Sequence, residues 1–255
     1  MSGISGISNS YSSYSMYGKI ASGSRIQSAA DDAAGLAISE KLTSQENGLN
    51  KGTQNAQSGQ DLLNVSDGAL GSITDNLQRI GELAVQASSG LLTDSDKKDI
   101  QAEVDQLKQG IGDIADQTTF NTKPILNGDS SLSMATDSNG NSVSVNTTNA
   151  TLSALGIEDF DVTGDFSIDT IDKALDKVTT ARAKGGAQYN ALSSTISYNN
   201  YAAQNTAASN SRIEDLDIPK ALTDLTKQNL LNTYKIFMQK SANAAAQNRN
   251  TVLFR

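Results

Sequence analysis

The chain has 255 residues and a formal net charge of −8, no histidine, cysteine or tryptophan, and only 5% aromatic residues. Without His and Cys there can be no zinc site of the usual kind, no histidine-based triad, no thiol nucleophile and no disulfide. Scarce aromatics suit bundles of long helices with small interior residues better than a thick globular core. No apolar run approaches the length of a membrane span, and the N-terminus lacks the basic-then-apolar layout of a cleaved secretory signal. Charge is uneven. Lys19 and Arg25 stand unopposed near the N-terminus, and Lys220, Lys227, Lys235, Lys240, Arg249 and Arg255 face only Asp224 beyond residue 219, so the acid lies in the middle. No dense basic patch of the kind that binds nucleic acid is present.

Residues 1–28 are rich in Ser and Gly, yet Ile4, Ile7, Tyr11, Tyr14, Tyr17 and Ala21 recur at helical spacing. An isolated helix of this composition is marginal. The segment therefore reads as disordered in the monomer and helical once a partner covers its stripe. Ser28 and Asp31 resemble a capping box at the start of the next helix. From there Leu42, Leu49, Ala56, Leu63, Leu70, Leu77 and Ala84 repeat every seven residues. A second register runs through Ile38, Gln45, Gly52, Gly59, Ser66, Ile73, Ile80 and Ala87. Sustained heptads predict one long helix in a left-handed packing, ending near Ser89 with Gly90 as C-cap. The stretch from Ile38 to Ala87 would span ~75 Å, too long for one compact domain of this size and suited to a rod. Gly52 and Gly59 vacate two seam positions, which permits a close backbone approach or a bend.

Thr93 to Asp96 reads as the N-terminus of a second helix, with acids in its first turn. Ile100, Val104, Leu107, Ile111 and Ile114 form its stripe, and the short preceding loop predicts an antiparallel return ending before Thr119. Turn signals then cluster at Pro124, Asn127-Gly128 and Asp137 to Asn141. Leu132/Met134 and Val143/Val145 alternate with Ser on either side of the second cluster, which predicts a hairpin. Heptad spacing returns from Ile171 through Leu192 to Ile213, with several polar slots. Leu216 to Pro219 is read as a break, and residues 220–248 as a last amphipathic helix. The expected fold is mainly α. It is an elongated antiparallel coiled coil, a rod of three long helices, with a small β-hairpin subdomain and amphipathic terminal helices. Its segments are 1–28, 29–119, 120–167, 168–215 and 216–255. Both ends carry apolar stripes with no intramolecular core except each other, a pattern that points to assembly between subunits.

Ala21 to Gly35 (ASGSRIQSAADDAAG), Asn76 to Gln86 (NLQRIGELAVQ), Ile100 to Glu103, Thr119 to Asn121, Ser211 to Asp215 (SRIED) and the ending Val252 to Arg255 form an ordered series of motifs. In these the sequence resembles the bacterial flagellins. The resemblance covers about residues 19–127 and 168–255. What it implies is a filament subunit without cofactor, of a short form lacking the family's outer variable domains. The terminal segments, with Ile4, Ile7, Tyr11, Tyr14, Leu222, Leu225, Leu230, Tyr234, Phe237, Leu253, Phe254 and Arg255, would polymerise into an inner tube, and the long helices would form the wall around it. Implied partners are further copies of the chain, a flagellar export chaperone, the filament cap, hook-associated proteins and the Toll-like receptor for flagellin. Neither nucleic acid nor membrane is implied. Export through the flagellar type III apparatus would make the protein secreted and extracellular, a part of the flagellum.

The family's principal receptor contacts match Arg79, Leu83 and Glu103, with Gln78, Glu82 and Gln86 beside them. An exposed inter-helix ion pair is the plainer reading of Arg79 and Glu103. Gly81 stands where many flagellins carry a second Arg, and Ser, Gly and Tyr replace the family's usual Leu- and Asn-rich N-terminal stripe. The alternatives are a hook–filament junction protein, disfavoured by the Asp-Asp-Ala-Ala-Gly and Ser-Arg-Ile-Glu-Asp motifs, and an enzyme-bearing variant, disfavoured because no inserted domain and no His exist. Gly110 to Ala115 fits a loose dinucleotide fingerprint but lies inside a predicted helix with no strand before it. Asp31-Asp32 and Asp94, Asp96 and Asp99 read as helix-start acids better than as metal ligands. Asn64, Asn146 and Asn149 begin N-glycosylation patterns that carry little weight in a bacterial filament protein, and O-glycosylation within 129–153 is not legible.

Overall fold

The computed structural model describes residues 15–253, with side chains through residue 245 and at Gln247. The chain divides into two compact units, one formed by residues up to 45 together with those from 204 on, the other by residues 46–203. A first helix, α1, covers described residues 15–22. The other helices are α2 (Ala33–Ala87), α3 (Asp94–Gln117), α4 (Leu152–Leu155), α5 (Asp169–Glu214) and α6 (Ile218–Leu253). Strands β1 (Thr119–Phe120) and β2 (Lys123–Pro124) form one antiparallel pair; β3 (Ser131–Ala135) and β4 (Ser142–Asn146) form another. The fold is mainly α with small hairpins, as the periodicity predicts. Ile4, Ile7, Tyr11, Tyr14, Phe254, Arg255 and the side chain of Leu253 lie outside the described residues.

In the larger unit, α2, α3 and the first part of α5 share one apolar interior. Leu63, Leu70, Ile73, Leu77, Ile80 and Ala84 of α2 pack with Ile100, Val104 and Ile111 of α3 and Ile171, Val178 and Leu192 of α5. The heptad seam is therefore a buried seam from Leu49 to Ala87. It fails N-terminal to that point, where Ile38 is 50% exposed and Gln45 is exposed. Arg79 meets Glu103 and Asn76 approaches Gly110, so α3 returns antiparallel on α2. Gly81 faces Ile171, Asp67 meets Arg182 and Gly59 faces Leu192, so α5 is antiparallel to α2 as well.

The helix starts follow from local chemistry. Thr93 and Asp96 close a reciprocal capping box at α3. At α2 the expected start at Ser28 moves to Asp32, whose carboxylate accepts the Gly35 N–H at 2.8 Å while its carbonyl accepts that of Leu36. Asp31 instead ties the preceding loop, accepting from the N–H groups of Gln27 and Ser28. The expected break at Leu216 to Pro219 is only a short joint. Asp217 caps α6 by accepting from the N–H groups of Lys220 and Ala221. Pro219 then sits in the first turn, where a missing N–H costs nothing.

Between α3 and α5 the chain is fastened at several points. In the tight β1–β2 turn, Asn121 and Thr122 both adopt positive φ (48° and 66°). Helix α4 was not visible in the periodicity because it is a single turn. Thr151 caps its start, Gly156 (φ 83°) ends it in the left-handed region, and Lys177 of α5 donates to the carbonyls of Ala154 and Leu155. Phe160 and Phe166 stack edge to face at 5.9 Å.

The β3–β4 hairpin explains the glycines of α2. It pairs Leu132 with Val145 and Met134 with Val143. A Cβ on Gly52 would lie on the Thr136 carbonyl, 2.5 Å from its carbon; one on Gly48 would lie 2.7 Å from Ser138 Cα; one on Gly59 would lie 2.6 Å from Met134 Cε. The three glycines form a recess into which the hairpin seats. Asn199 of α5, 1% exposed, donates to the Thr136 carbonyl at 2.6 Å, and Asn55 donates to that of Ala135 at 2.8 Å.

Candidate assembly and recognition surfaces

Helix α6 intersperses Leu, Tyr, Phe and Met with Asn, Gln, Lys and Thr, which gives it an apolar face without a second apolar layer. Ala221 and Leu225 are 4% exposed and belong to the core of their unit. Beyond them the helix lies open. Leu222 is 54% exposed, Leu230 72%, Tyr234 61% and Phe237 67%, joined by Leu231, Ile236 and Met238 at about half. Of the residues expected to polymerise, Leu225 is thus inward-facing and Leu222, Leu230, Tyr234 and Phe237 are outward-facing. Leu231 and Met238 continue the same i, i+3 and i+4 pattern, so the signal for them was present in the sequence, whereas Ile236 lies off that face. A contiguous exposed apolar face of this extent marks an interaction surface.

The second surface lies on α2 and α3 in the other unit. Arg79 Nε donates to Glu103 Oε1 at 2.9 Å and its Nη1 to Glu82 Oε2 at 3.0 Å. Glu103 first, then Glu82, raise the Arg79 pKa above its ordinary value. All three side chains are about half exposed or more, so these pairs orient the guanidinium and contribute little stability. Gln78 and Gln86 are exposed beside them. Leu83 is only 2% exposed and packs in the core, so it supports the patch from beneath and offers no apolar centre at the surface. Val85, later in α2, and Leu91, in the loop after it, are exposed apolar residues (58% and 94%). Gly81 is not demanded by packing: a Cβ there would meet Ile171 Cγ2 at 3.6 Å, an ordinary contact.

The two most specific sequence motifs meet in the smaller unit. Arg25 N–H donates to the Glu214 carbonyl at 2.6 Å and Leu216 N–H to that of Gly23 at 2.8 Å, bridging Ser24 with Asp215. Arg25 also donates to the Ile213 carbonyl at 2.6 Å, and Ser39 to Glu214 Oε2 at 2.6 Å. Lys19 pairs with Asp31 at 2.6 Å. That bond, with the Gln27 N–H next, holds the Asp31 carboxyl down to about 2. The acids of Ala21–Gly35 and Ser211–Asp215 thus serve a joint between two chain segments far apart in sequence.

Long helices and an apolar face left open along α6 are the features that the described residues bring to these surfaces. The chain belongs to the bacterial flagellin family, whose members are structural proteins. Residues 5–131 match the bacterial flagellin N-terminal helical region and residues 168–251 the C-terminal helical region. It is 36% identical to the flagellar filament 31.3 kDa core protein of Treponema maltophilum, over 92% of this chain and 90% of that protein. It is also similar to the crystal structure of Bacillus cereus flagellin, with TM-score 0.50 and 26% identity over 57% of this chain and 88% of that one. A Vibrio parahaemolyticus structure assigned to a flagellar hook-associated protein superimposes with TM-score 0.61, covering 72% of this chain and all of that one. At 12% identity it shows a shared fold alone.

Proposed function

We propose that the chain polymerises through its terminal helices into the flagellar filament and serves motility there. The observation that carries this reading is the open apolar face of α6, with Leu230, Tyr234 and Phe237 each more than 60% exposed. Burying such side chains stabilises contacts by about 1.5–3 kcal/mol apiece. A monomer leaves that stabilisation unused, and a neighbouring copy supplies it. The N-terminal stripe of Ile4, Ile7, Tyr11 and Tyr14 joins the same interface, and Leu253, Phe254 and Arg255 extend it. Before assembly the same face requires a cover, which is the role of an export chaperone. Filament cap and hook-associated proteins engage related surfaces at the two ends of the polymer. Export through the flagellar apparatus places the protein outside the cell.

The test is electron microscopy after salt-induced polymerisation of wild type and of the Tyr234→Ser, Phe237→Ser double variant. Filaments from wild type only, with matching circular dichroism of the two monomers, is the expected result. Normal filaments from the double variant would sink the proposal.

The polar patch of Gln78, Arg79, Glu82, Gln86 and Glu103, underlaid by Leu83, is proposed as a contact for the Toll-like receptor for flagellin. An oriented, solvent-facing Arg flanked by amides is suited to act as a hot spot. Gly81 leaves this patch with one cation.

A further inference from the structure

Three Asn-Gly dipeptides occur in the chain: Asn47-Gly48, Asn127-Gly128 and Asn139-Gly140. A glycine leaves the backbone nitrogen after the asparagine sterically open. That nitrogen can attack the side-chain amide carbon wherever the backbone is free to bring the two together. The fold treats the three sites differently. Asn47 and Gly48 lie within α2, whose helical hydrogen bonding holds the backbone fixed. Asn127 has its amide nitrogen tethered to Asp116 Oδ1 at 2.8 Å. Asn139 and Gly140 are both exposed at the tip of the β3–β4 hairpin. Gly140 has φ 82°, and its N–H makes a long 3.4 Å bond to the Asp137 carbonyl and also faces the Asp137 carboxylate.

We propose that Asn139 is a self-modification site. The Gly140 nitrogen forms a bond to Asn139 Cγ. The Gly140 proton and the side-chain NH2 leave as ammonia, and a five-membered succinimide closes. Water then opens the ring at either carbonyl, giving aspartate, or isoaspartate in which the main chain runs through Cβ and Cγ. No oxidant, cofactor or enzyme enters; water is the only co-reactant.

Either product acts on the hairpin's seat. Asp137 Oδ1 closes the loop by accepting from the N–H groups of Asn139 and Asn141, both at 2.8 Å. The Asn141 side chain, with those N–H groups, keeps the Asp137 carboxyl below the usual carboxylate range, so it is charged. A new carboxylate at residue 139 repels it, and an isoaspartate lengthens the loop by one backbone atom. Ser138 and Thr136, which rest over Gly48 and Gly52, lie on the same loop.

The experiment keeps the folded full-length chain in warm neutral buffer. Residues 47, 127 and 139 are followed separately by peptide-mapping mass spectrometry. Residue 139 should gain one mass unit about tenfold faster than the other two, the factor that ~1.4 kcal/mol of local restraint produces. In urea the three rates should converge, and Asn139→Gln, an exposed and fold-neutral change, should silence the site. An intact Asn139, or conversion at 47 or 127 as fast as at 139 in the folded chain, overturns the proposal. So does a ranking that persists unchanged in urea, because it would trace to neighbouring sequence and not to the fold.

Discussion

Replacing Gly52 by alanine separates helix propensity from packing. In the interior of a helix the exchange gains roughly 1 kcal/mol from backbone entropy alone. Here the added methyl falls 2.5 Å from the Thr136 carbonyl carbon and 3.0 Å from the Asp137 nitrogen, and both are backbone atoms without a rotamer to yield. Overpacking of this kind costs about 1–3 kcal/mol. Shifting Thr136 also breaks the 2.6 Å bond from Asn199, leaving a side chain that is 1% exposed without its acceptor, at a further cost of about 1–3 kcal/mol. The net expectation is a loss of about 1–5 kcal/mol. Gly68→Ala is the internal control, since nothing lies within 4 Å of its Cβ, and it should gain up to ~1 kcal/mol. With a urea slope of roughly 3 kcal/mol/M, the midpoint should fall by about 1 M for the first variant and rise slightly for the second. Hydrogen exchange at the Thr136 N–H, bonded to the Asn141 carbonyl, should accelerate in Gly52→Ala alone. A Gly52→Ala protein as stable as Gly68→Ala, with hairpin protection intact, would refute the reasoning.

Asp31→Asn addresses the joint in the smaller unit. The Asp31 carboxyl is depressed from 3.8 to about 2 in the folded chain, so its stabilisation is present above pH ~4 and lost as pH falls toward 2. Acid titrations of wild type and variant should differ at neutral pH and converge near pH 2; parallel curves would discount the Lys19 bond. Thr93→Ala removes the α3 capping box and should lower stability by ~1 kcal/mol in thermal melts, whereas an unchanged melting temperature would mean that the box is dispensable. Arg79→Ala should leave the melting temperature nearly unchanged, because its ion pairs are exposed, yet weaken binding to the receptor ectodomain by ~2 kcal/mol in calorimetry. Equal affinity would reduce the patch to a surface ion pair.

Periodicity exposed most of the helical plan because burial, where it occurs, is written in side-chain type. Leu49, Ala56, Leu63, Leu70, Leu77 and Ala84, then Ile100, Val104 and Ile111, then Ile171, Val178 and Leu192 face inward, while the Arg182 and Tyr189 slots stay exposed. It misled at Ile38, where the residue type is apolar but no neighbour covers it. Features decided by a single hydrogen bond were harder to see. Asp32 and not Ser28 starts α2, and Asp217 lets α6 begin ahead of Pro219. Arg79 and Glu103 were singled out by the resemblance, and their ion pair was the plainer reading of the two. The depth of Leu83 was not legible, because a residue beside the seam looks alike whether or not a third helix covers it. The glycine recess was invisible for a different reason. An absent side chain carries no pattern until the segment that fills the space is known, and that segment, Met134 to Ser138, lies more than seventy residues away.

The recess also gives α2 a mechanical character. Gly48 and Gly52 are about one helical turn apart, ~6 Å, with Lys51, Thr53 and other full side chains between and around them. The hairpin tip therefore cannot glide along the helix. A displacement shorter than a turn drives the Thr136 carbonyl into side chains, and the adjacent opening comes a whole turn away. The contact works like a detent on a ratchet. Side chains on either side of the two glycines fix the place along the helix where the hairpin tip can rest.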